Sequence, residues 1–177
     1  VFMFILTFLV KSFISPDMSL LYAIQLMGGC LVLACGAMGP AIGQATFCRS
    51  VCEAVGLNIS MYSRIFSFSF IVQAMIETPI IFSLLVCLML MFSTPVEGVL
   101  AYELVGTCIG VICATSFGSA GAAIGSGTAA SRAVICMAQN EEGATGIARL
   151  AIFCQAIIDT AVIYSLIISV LLIKTCM

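Results

Sequence analysis

Charged residues are scarce in this chain. Lysine, arginine, aspartate and glutamate together make up 8% of its 177 residues, whereas soluble domains carry about 25%. Hydrophobic residues make up 63%, and the mean hydropathy is +1.28. The composition therefore excludes a soluble globular protein and indicates a membrane protein.

Histidine is absent, and no two cysteines stand in a CxxC pair. The usual zinc constellations therefore cannot be assembled. The ten cysteines could suggest a disulfide framework, but most lie within or at the edge of apolar segments, where we expect small buried hydrophobes. These cysteines are Cys30, Cys35, Cys87, Cys108, Cys113, Cys154 and Cys176.

The chain has four long apolar stretches. They can be drawn at about 19–47, 65–93, 102–131 and 148–173, and a helix needs about 20 residues to span a bilayer. An offset of 82 residues superimposes the first two stretches on the last two. We therefore predict an all-α membrane protein with four transmembrane helices in two tandem helical hairpins, 17–96 and 97–177. The matching residues of the first hairpin are Gly28, Gly36, Gly39, Ala41, Ile42, Gly43, Gln73, Ala74, Ile76, Thr78, Ser83 and Leu84.

Residues 1–16 precede the first stretch and are largely apolar, with one charge at Lys11. Their apolar run is too short to span a bilayer. We expect a leader to the first helix or an interfacial segment. A signal-peptide remnant is the alternative.

The six basic residues orient the hairpins. Four arginines fall at the ends of the connections inside the hairpins, while Lys11 and Lys174 lie near the termini. By the positive-inside rule, we expect these connections to face the cytoplasm or matrix and the termini to lie on the non-cytoplasmic side. The net charge of −2 gives no indication of nucleic-acid binding, so we interpret the connections as loops that dock a soluble partner. The charged residues of this predicted surface are Arg49, Glu53, Arg64, Arg132, Glu141, Glu142 and Arg149.

The first and third stretches are poor in large side chains. Glycine and alanine recur there near multiples of three and four, which places them along one helix face and lets helices approach closely in lipid. One interpretation is a simple dimerisation face. The other is that these two helices let many hairpins crowd around a narrow axis, with the second and fourth helices outside. The residues concerned are Gly28, Gly36, Gly39 and Gly43, then Gly106, Gly110, Ala114, Gly118, Gly121, Ala122 and Gly125.

Glu77 and Asp159 are isolated carboxylates at equivalent positions in the second and fourth stretches. An ionisable side chain inside a membrane segment is energetically costly and is a functional candidate by default. The structural alternative is a protonated acid that hydrogen-bonds two helices together, but matched acids beside matched polar residues favour function. The neighbours are Gln73 and Gln155 four positions before, Thr78 and Thr160 one position after, and Phe82 and Tyr164 five positions after.

Two prolines free backbone oxygens in the first hairpin. Pro79 has no amide hydrogen, so the carbonyl of Met75 loses its helical donor one turn from Glu77. Pro40 does the same to the carbonyl of Gly36. Such a carbonyl can coordinate a cation or hold a water, although proline also occurs in membrane helices as a plain kink.

Two short sequence motifs, each repeated in the second half of the chain, are specific enough to indicate a protein family. Residues 39–44 read Gly-Pro-Ala-Ile-Gly-Gln and residues 73–78 read Gln-Ala-Met-Ile-Glu-Thr, with echoes at 121–126 and 155–160. Over roughly residues 20–175, the chain resembles the rotor-ring proteolipids of rotary ATPases. Its duplicated length is similar to the K or c subunit of V/A-type enzymes, and its local motifs are similar to the c subunit of F-type enzymes. The resemblance implies a homo-oligomeric ring in which a carboxylate on the outer helix of each hairpin binds one proton or sodium ion.

The resemblance also implies partners. Such a ring carries ions past a stator subunit with a membrane-embedded arginine, and its polar loops grip the central stalk of the catalytic head. The chain would then be a non-catalytic subunit of an ion pump or ATP synthase, in a bacterial cell membrane or an energy-coupling organellar membrane. We expect no cofactor apart from the transported Na⁺ or H⁺.

Carried over residue by residue, the resemblance assigns the essential carboxylate to Glu77 and Asp159. Gln44, Thr78 and the carbonyl of Met75 match the sodium ligands of sodium-specific F-type rings. In the second half, Ser126 stands in place of the glutamine. The loops also lack the family's Arg-Gln-Pro motif, and residues 140–142 are only a loose analogue of it. The second half has Tyr164 where those rings place a tyrosine that holds the carboxylate, and the first half has Phe82. The remaining candidate residues are Thr160 as a ligand and Gln73, Gln155 and Pro79 in support.

The nature of the ion follows from the kinds of oxygen available. A hard cation prefers carboxylate, amide, hydroxyl and carbonyl oxygens. The first hairpin has all four kinds, which favours sodium over protons, while the second offers fewer and shorter groups. Two other functions stay open: a small secondary transporter with parallel repeats, although repeats in that class are often inverted, and a structural proteolipid without ion carriage.

Overall fold

A computed structural model of the chain describes residues 16–94 and 100–176. It contains four long helices, α1 (Pro16–Leu57), α2 (Tyr62–Phe92), α3 (Ala101–Gln139) and α4 (Ala144–Cys176), with a short 3₁₀ turn at Ile59–Met61. Each helix is long and apolar enough to cross a membrane. The predicted all-α fold of two tandem hairpins is confirmed. The predicted leader, 1–16, lies outside the described residues apart from Pro16.

The connections inside the hairpins are shorter than predicted. Asparagine shapes both of them: Asn58 Oδ1 accepts a hydrogen bond from the Ser60 amide (3.1 Å), and Asn140 Oδ1 accepts one from the Gly143 amide (3.0 Å). The prediction that the charged surface residues all lie in loops is therefore wrong in detail. The structure places Arg49 and Glu53 in α1, Arg64 in α2, Arg132 in α3 and Arg149 in α4, and leaves Glu141 and Glu142 in the turn.

The length of the helices explains this difference. The 42 residues of α1 span about 60 Å, whereas the hydrocarbon core of a bilayer is about 30 Å thick. Because the helix continues past the apolar stretch, its last turns carry charged side chains in water. A hydropathy pattern marks where lipid ends, which is not where the helix ends.

Helices α1 and α3 pack against each other through glycine. Gly39 and Gly43 face the backbone of Ala120 and Ala123 on α3, and Gly127 on α3 faces the backbone of Gly43. A side chain at these positions would meet main-chain atoms, so glycine is what permits the approach. The small-residue stripe therefore joins the first and third helices of one chain.

Each hairpin repeats the same internal packing. Gly36 faces Ser83 in the first hairpin, and Gly118 faces Ser165 in the second. The helices α2 and α4 thus lie against α1 and α3 at corresponding depths. Two other glycines of the predicted stripe, Gly106 and Gly121, have nothing in contact with them and lie on the open face of α3.

The prediction that the cysteines in apolar segments are buried is confirmed for some of them and wrong for others. Cys87 and Cys108 are buried, but Cys30, Cys113 and Cys154 are exposed. The outer faces of these helices are themselves apolar, so an apolar segment does not distinguish a buried cysteine from one on the outer surface. The nine cysteines whose side chains the structure describes form no disulfide bond with one another.

Candidate ion-binding sites

Glu77 lies at the midpoint of α2, and therefore near the middle of its membrane span. Its side chain is exposed on the outer face of the helix. Phe70, Ile81 and Leu84 are exposed on the same face, since they lie seven positions before, four after and seven after Glu77. The carboxylate thus opens onto an apolar surface at mid-span.

Gln44 on α1 reaches this carboxylate. Its Nε2 atom donates a hydrogen bond of 2.7 Å to Glu77 Oε1, a short distance that is typical of a bond to a charged acceptor. The neighbouring Gly43 faces Ile76, the residue before Glu77. Because glycine lets α1 approach α2 here, the predicted pair comes together.

The other predicted residues of the first hairpin surround this pair on α2. The Thr78 hydroxyl donates to the Ala74 carbonyl (3.2 Å), so its oxygen keeps lone pairs for a cation. Pro79 is buried, and Met75 and Phe82 are half-buried. The predicted supporting residue Gln73 points toward α1, because its Oε1 lies 4.0 Å from the Cys48 thiol, a weak donor.

The second hairpin contains several buried polar atoms without hydrogen-bond partners among the described residues. Asp159 Oδ1, Ser126 Oγ and both amide atoms of Gln155 are buried and have no hydrogen-bond partner among the described residues. Ser126 and Gln155 are 0% exposed. Each such atom costs about 1–3 kcal/mol when it is left unpaired, so a polar partner at these residues would stabilise the structure.

The packing places Ser126 and Asp159 at the depth of the first site. Gly125, the residue before Ser126, faces Ile158, the residue before Asp159, as Gly43 faces Ile76. The Thr160 hydroxyl donates to the Ile157 carbonyl (2.7 Å). Tyr164 is 67% exposed, so within one chain it points outward on α4.

The Gly36 carbonyl, which the sequence predicts to lack a helical donor, accepts a hydrogen bond from another helix. The Gly36 oxygen, which Pro40 deprives of its helical donor, accepts a hydrogen bond of 3.2 Å from Ser119 Oγ on α3. Pro40 therefore supports packing between α1 and α3. Sequence reasoning missed Ser119, because no local pattern gives the register of α3 against α1.

The two turns are tied together by Glu141. Its Oε1 accepts hydrogen bonds from Asn58 Nδ2 (2.6 Å) and Ser60 Oγ (2.8 Å), and its carbonyl accepts one from Arg64 (3.3 Å). The Asn58 and Ser60 hydrogen bonds and the Arg64 charge hold the pKa of Glu141 below its usual value. Ser60 is the member of this group that sequence reasoning missed. The predicted surface residues Arg49, Glu53, Arg132, Glu142 and Arg149 are exposed around it.

A protein-family model that describes the C subunit of ATP synthase matches the chain twice, over residues 27–90 and 109–172. The second range is the first displaced by 82 residues. The repeat inferred from the sequence is therefore the repeat of the family model.

Two bacterial relatives are similar to one repeat each. The ATP synthase c subunit 1 of Pelobacter propionicus is 34% identical over 78 residues, which cover 44% of this chain and 86% of the relative. The ATP synthase c subunit of Geotalea daltonii is 36% identical over 75 residues, which cover 42% of this chain and 81% of the relative. Nearly all of each relative thus corresponds to less than half of this chain.

Proposed function

Because the chain belongs to the family of ATP synthase c subunits, we propose that it is a rotor-ring subunit that carries one sodium ion or proton on each of Glu77 and Asp159. The chain is an integral membrane protein, since its four helices can each cross a bilayer and the family is a membrane one. The duplicated hairpin favours a ring of the V/A-type, built from units of two hairpins.

The pairing of Gln44 with Glu77 at mid-span carries this proposal. A ring carrier must be neutral while it faces lipid and charged while it faces the stator. A carboxylate satisfies both conditions when it binds a proton or a cation and later releases it. The apolar face around Glu77 supports the first condition, and the amide donor supports the charged form in the second.

Ion transfer then follows from the position of each acid. A membrane-embedded arginine of a stator subunit would attract the bare carboxylate and release its ion. The loaded site would leave the arginine and turn through the lipid. The exposed charges around the turns would hold the central stalk of the catalytic head, in a bacterial cell membrane or an energy-coupling organellar membrane, with the termini on the non-cytoplasmic side.

The test replaces each acid by its amide in the complete complex. We expect Glu77→Gln and Asp159→Asn each to abolish ATP-driven ion uptake into vesicles, because a permanently neutral site cannot release its ion at the stator. Glu103→Gln is the matched control: Glu103 is an acid at the start of α3, where it accepts from the Leu100 amide (3.2 Å), and we expect uptake to continue. Full uptake after removal of either mid-span acid would exclude that acid from the cycle.

A further inference from the structure

A groove runs between α2 and α4 beside the turns. Its volume is about 280 Å³, and it is open along one side. The groove is separate from the two mid-span acids, because its lining residues come from the first three turns of α2 and α4 and from the end of α3. The exchange of an ion at Glu77 or Asp159 does not use it.

The lining changes from polar to apolar with depth. Ser63, Arg64 and Thr145, in the first turns of α2 and α4, form the end next to the turns. Phe68 lies one turn deeper, and Ile71 and Ile152 lie one turn deeper again. This gradient runs in the same direction as the change from headgroup to hydrocarbon in a bilayer.

Arg64 provides the charge of this lining. Within the described residues, its guanidinium donates to a single acceptor, the Glu141 carbonyl oxygen (3.3 Å), although a guanidinium has five N–H donors. The Glu141 carboxylate is bound by Asn58 and Ser60, which do not line the groove. The polar end of the groove therefore holds a guanidinium with unused N–H donors beside two hydroxyl groups. The nearby Glu141 carboxylate offsets part of its charge.

Aromatic residues mark the level of this end in the bilayer. Tyr62 and Phe66 stack with ring centroids 6.0 Å apart, and both are exposed on the outer face of α2. Tyrosine is enriched at the height of the lipid headgroups. Arg64, between them in sequence, therefore lies near the phosphate level.

We propose that the groove binds an anionic phospholipid, with its phosphate at Arg64, Ser63 and Thr145 and an acyl chain along Phe68, Ile71 and Ile152. The single positive charge matches the phosphate, and basic pockets between transmembrane helices are known to take anionic headgroups. The apolar lining below it matches the chain. A free phosphate would not use this lower part.

The experiment uses the absence of tryptophan from the chain. A single Ile71→Trp substitution places a fluorescent reporter at the rim of the groove, and Phe70→Trp places one at the next residue, which is 76% exposed and is not part of the lining. The assembled protein is reconstituted into phosphatidylcholine vesicles that contain brominated phosphatidylglycerol or brominated phosphatidylcholine. Bromine quenches tryptophan on contact.

We expect the Ile71→Trp reporter to prefer phosphatidylglycerol over phosphatidylcholine by about five-fold, the effect of one basic residue on an anionic lipid. Arg64→Gln should reduce this ratio to about one, and the Phe70→Trp reporter should show no preference. If Arg64→Gln fails to assemble, Ser63→Ala with Thr145→Ala should reduce the ratio in its place. Added inorganic phosphate should leave the quenching unchanged.

Two results would overturn the proposal. Equal quenching of the Ile71→Trp reporter by both lipids, unaffected by Arg64→Gln, would mean ordinary lipid contact without a site. Quenching of the Phe70→Trp reporter but not of the Ile71→Trp reporter would mean that a neighbouring protein segment covers the groove. Neither result bears on ion uptake through Glu77 and Asp159, so this proposal and the proposed function can fail separately.

Discussion

Glu77 and Asp159 have equivalent positions but different surroundings. Glu77 is exposed and already holds a hydrogen bond from Gln44. Asp159 is half-buried, and its Oδ1 is unpaired, as are the buried polar side-chain atoms of Ser126 and Gln155. The first acid therefore has a donor that stabilises the bare carboxylate, whereas the second has buried oxygens that lack a partner.

The sequence predicted part of this arrangement. Gln44 and Glu77 were recognisable because both belong to strings that match a known ion site. The sequence assigns Gln155 only a supporting role, because its burial at 0% exposure depends on the rotation of α4 about its own axis against the neighbouring helices. The repeat places equivalent residues in both hairpins. However, α2 packs against α1, α3 and α4, whereas α4 packs mainly against α3 and less against α2. The sequence pattern does not contain this difference.

We predict that sodium protects both acids through separate amides. A hydrophobic carbodiimide reacts with a protonated acid that is accessible from lipid, so a bound sodium ion should slow the reaction at near-neutral pH. Gln44→Leu should weaken the protection of Glu77 and leave that of Asp159 intact, and Gln155→Leu should do the reverse. Each variant serves as the control for the other, because leucine keeps the side-chain size and removes the amide oxygen.

The measurement is the labelling rate of each acid, followed by mass spectrometry with and without sodium. Labelling that depends on pH alone at both acids would contradict the sodium prediction. The chain would then carry protons, with Gln44 and Thr78 as hydrogen-bond partners of a protonated carboxyl group.

The contact between α1 and α3 depends on glycines that have different roles in the two repeats. Gly39 faces the backbone of Ala120, whereas its equivalent, Gly121, has nothing in contact with it. The sequence predicts one small-residue stripe in each half, but it does not show which glycines of the stripe form the contact between α1 and α3. The two stripes therefore pack differently, because Gly39 lies against α3 whereas Gly121 lies on the open face of α3.

We predict that Gly39→Ala destabilises the protein by about 1–3 kcal/mol, the usual cost of an added group in a packed interface, because the new methyl group meets main-chain atoms that cannot move independently. Gly121→Ala is the matched control at the equivalent position, where an added methyl group meets no neighbouring atom of the chain. It should not destabilise the chain, because alanine is the better helix former by about 1 kcal/mol. Thermal unfolding in detergent measures both. Equal losses of stability in the two variants would contradict the observed packing of α1 on α3.

The charged residues around the turns gather at one end of the bundle, Glu77 and Asp159 lie at mid-span, and Glu103 and Lys174 lie at the opposite end. The turn end carries the exposed arginines and Glu142, while the outer faces of α2 and α4 are apolar. The sequence indicates this charged end but not that it consists of helix ends, because charge marks the limit of the lipid and the helices continue beyond it. The end is therefore a rigid surface of helix ends joined by the Glu141 contacts.

This rigid end leads to a prediction about coupling between the ring and the stalk. Glu141 is occupied by Asn58 and Ser60, whereas its neighbour Glu142 is exposed at the tip of the turn. We predict that Glu142→Lys lets ATP hydrolysis continue while ion uptake falls, because a reversed charge weakens the contact with the stalk. One exposed charge contributes about 1 kcal/mol or less, but a ring repeats the substitution in every copy.

The matched control is Lys174→Glu, an equal charge reversal in the last turn of α4 at the opposite end. Hydrolysis and uptake are measured in the same vesicles, and gel electrophoresis checks that the ring assembles. We expect the ratio of uptake to hydrolysis to fall for Glu142→Lys and to stay unchanged for Lys174→Glu. A fall for Lys174→Glu alone would place the stalk at the other end of the bundle, and since the stalk defines the cytoplasmic or matrix side, it would also reverse the predicted orientation of the termini.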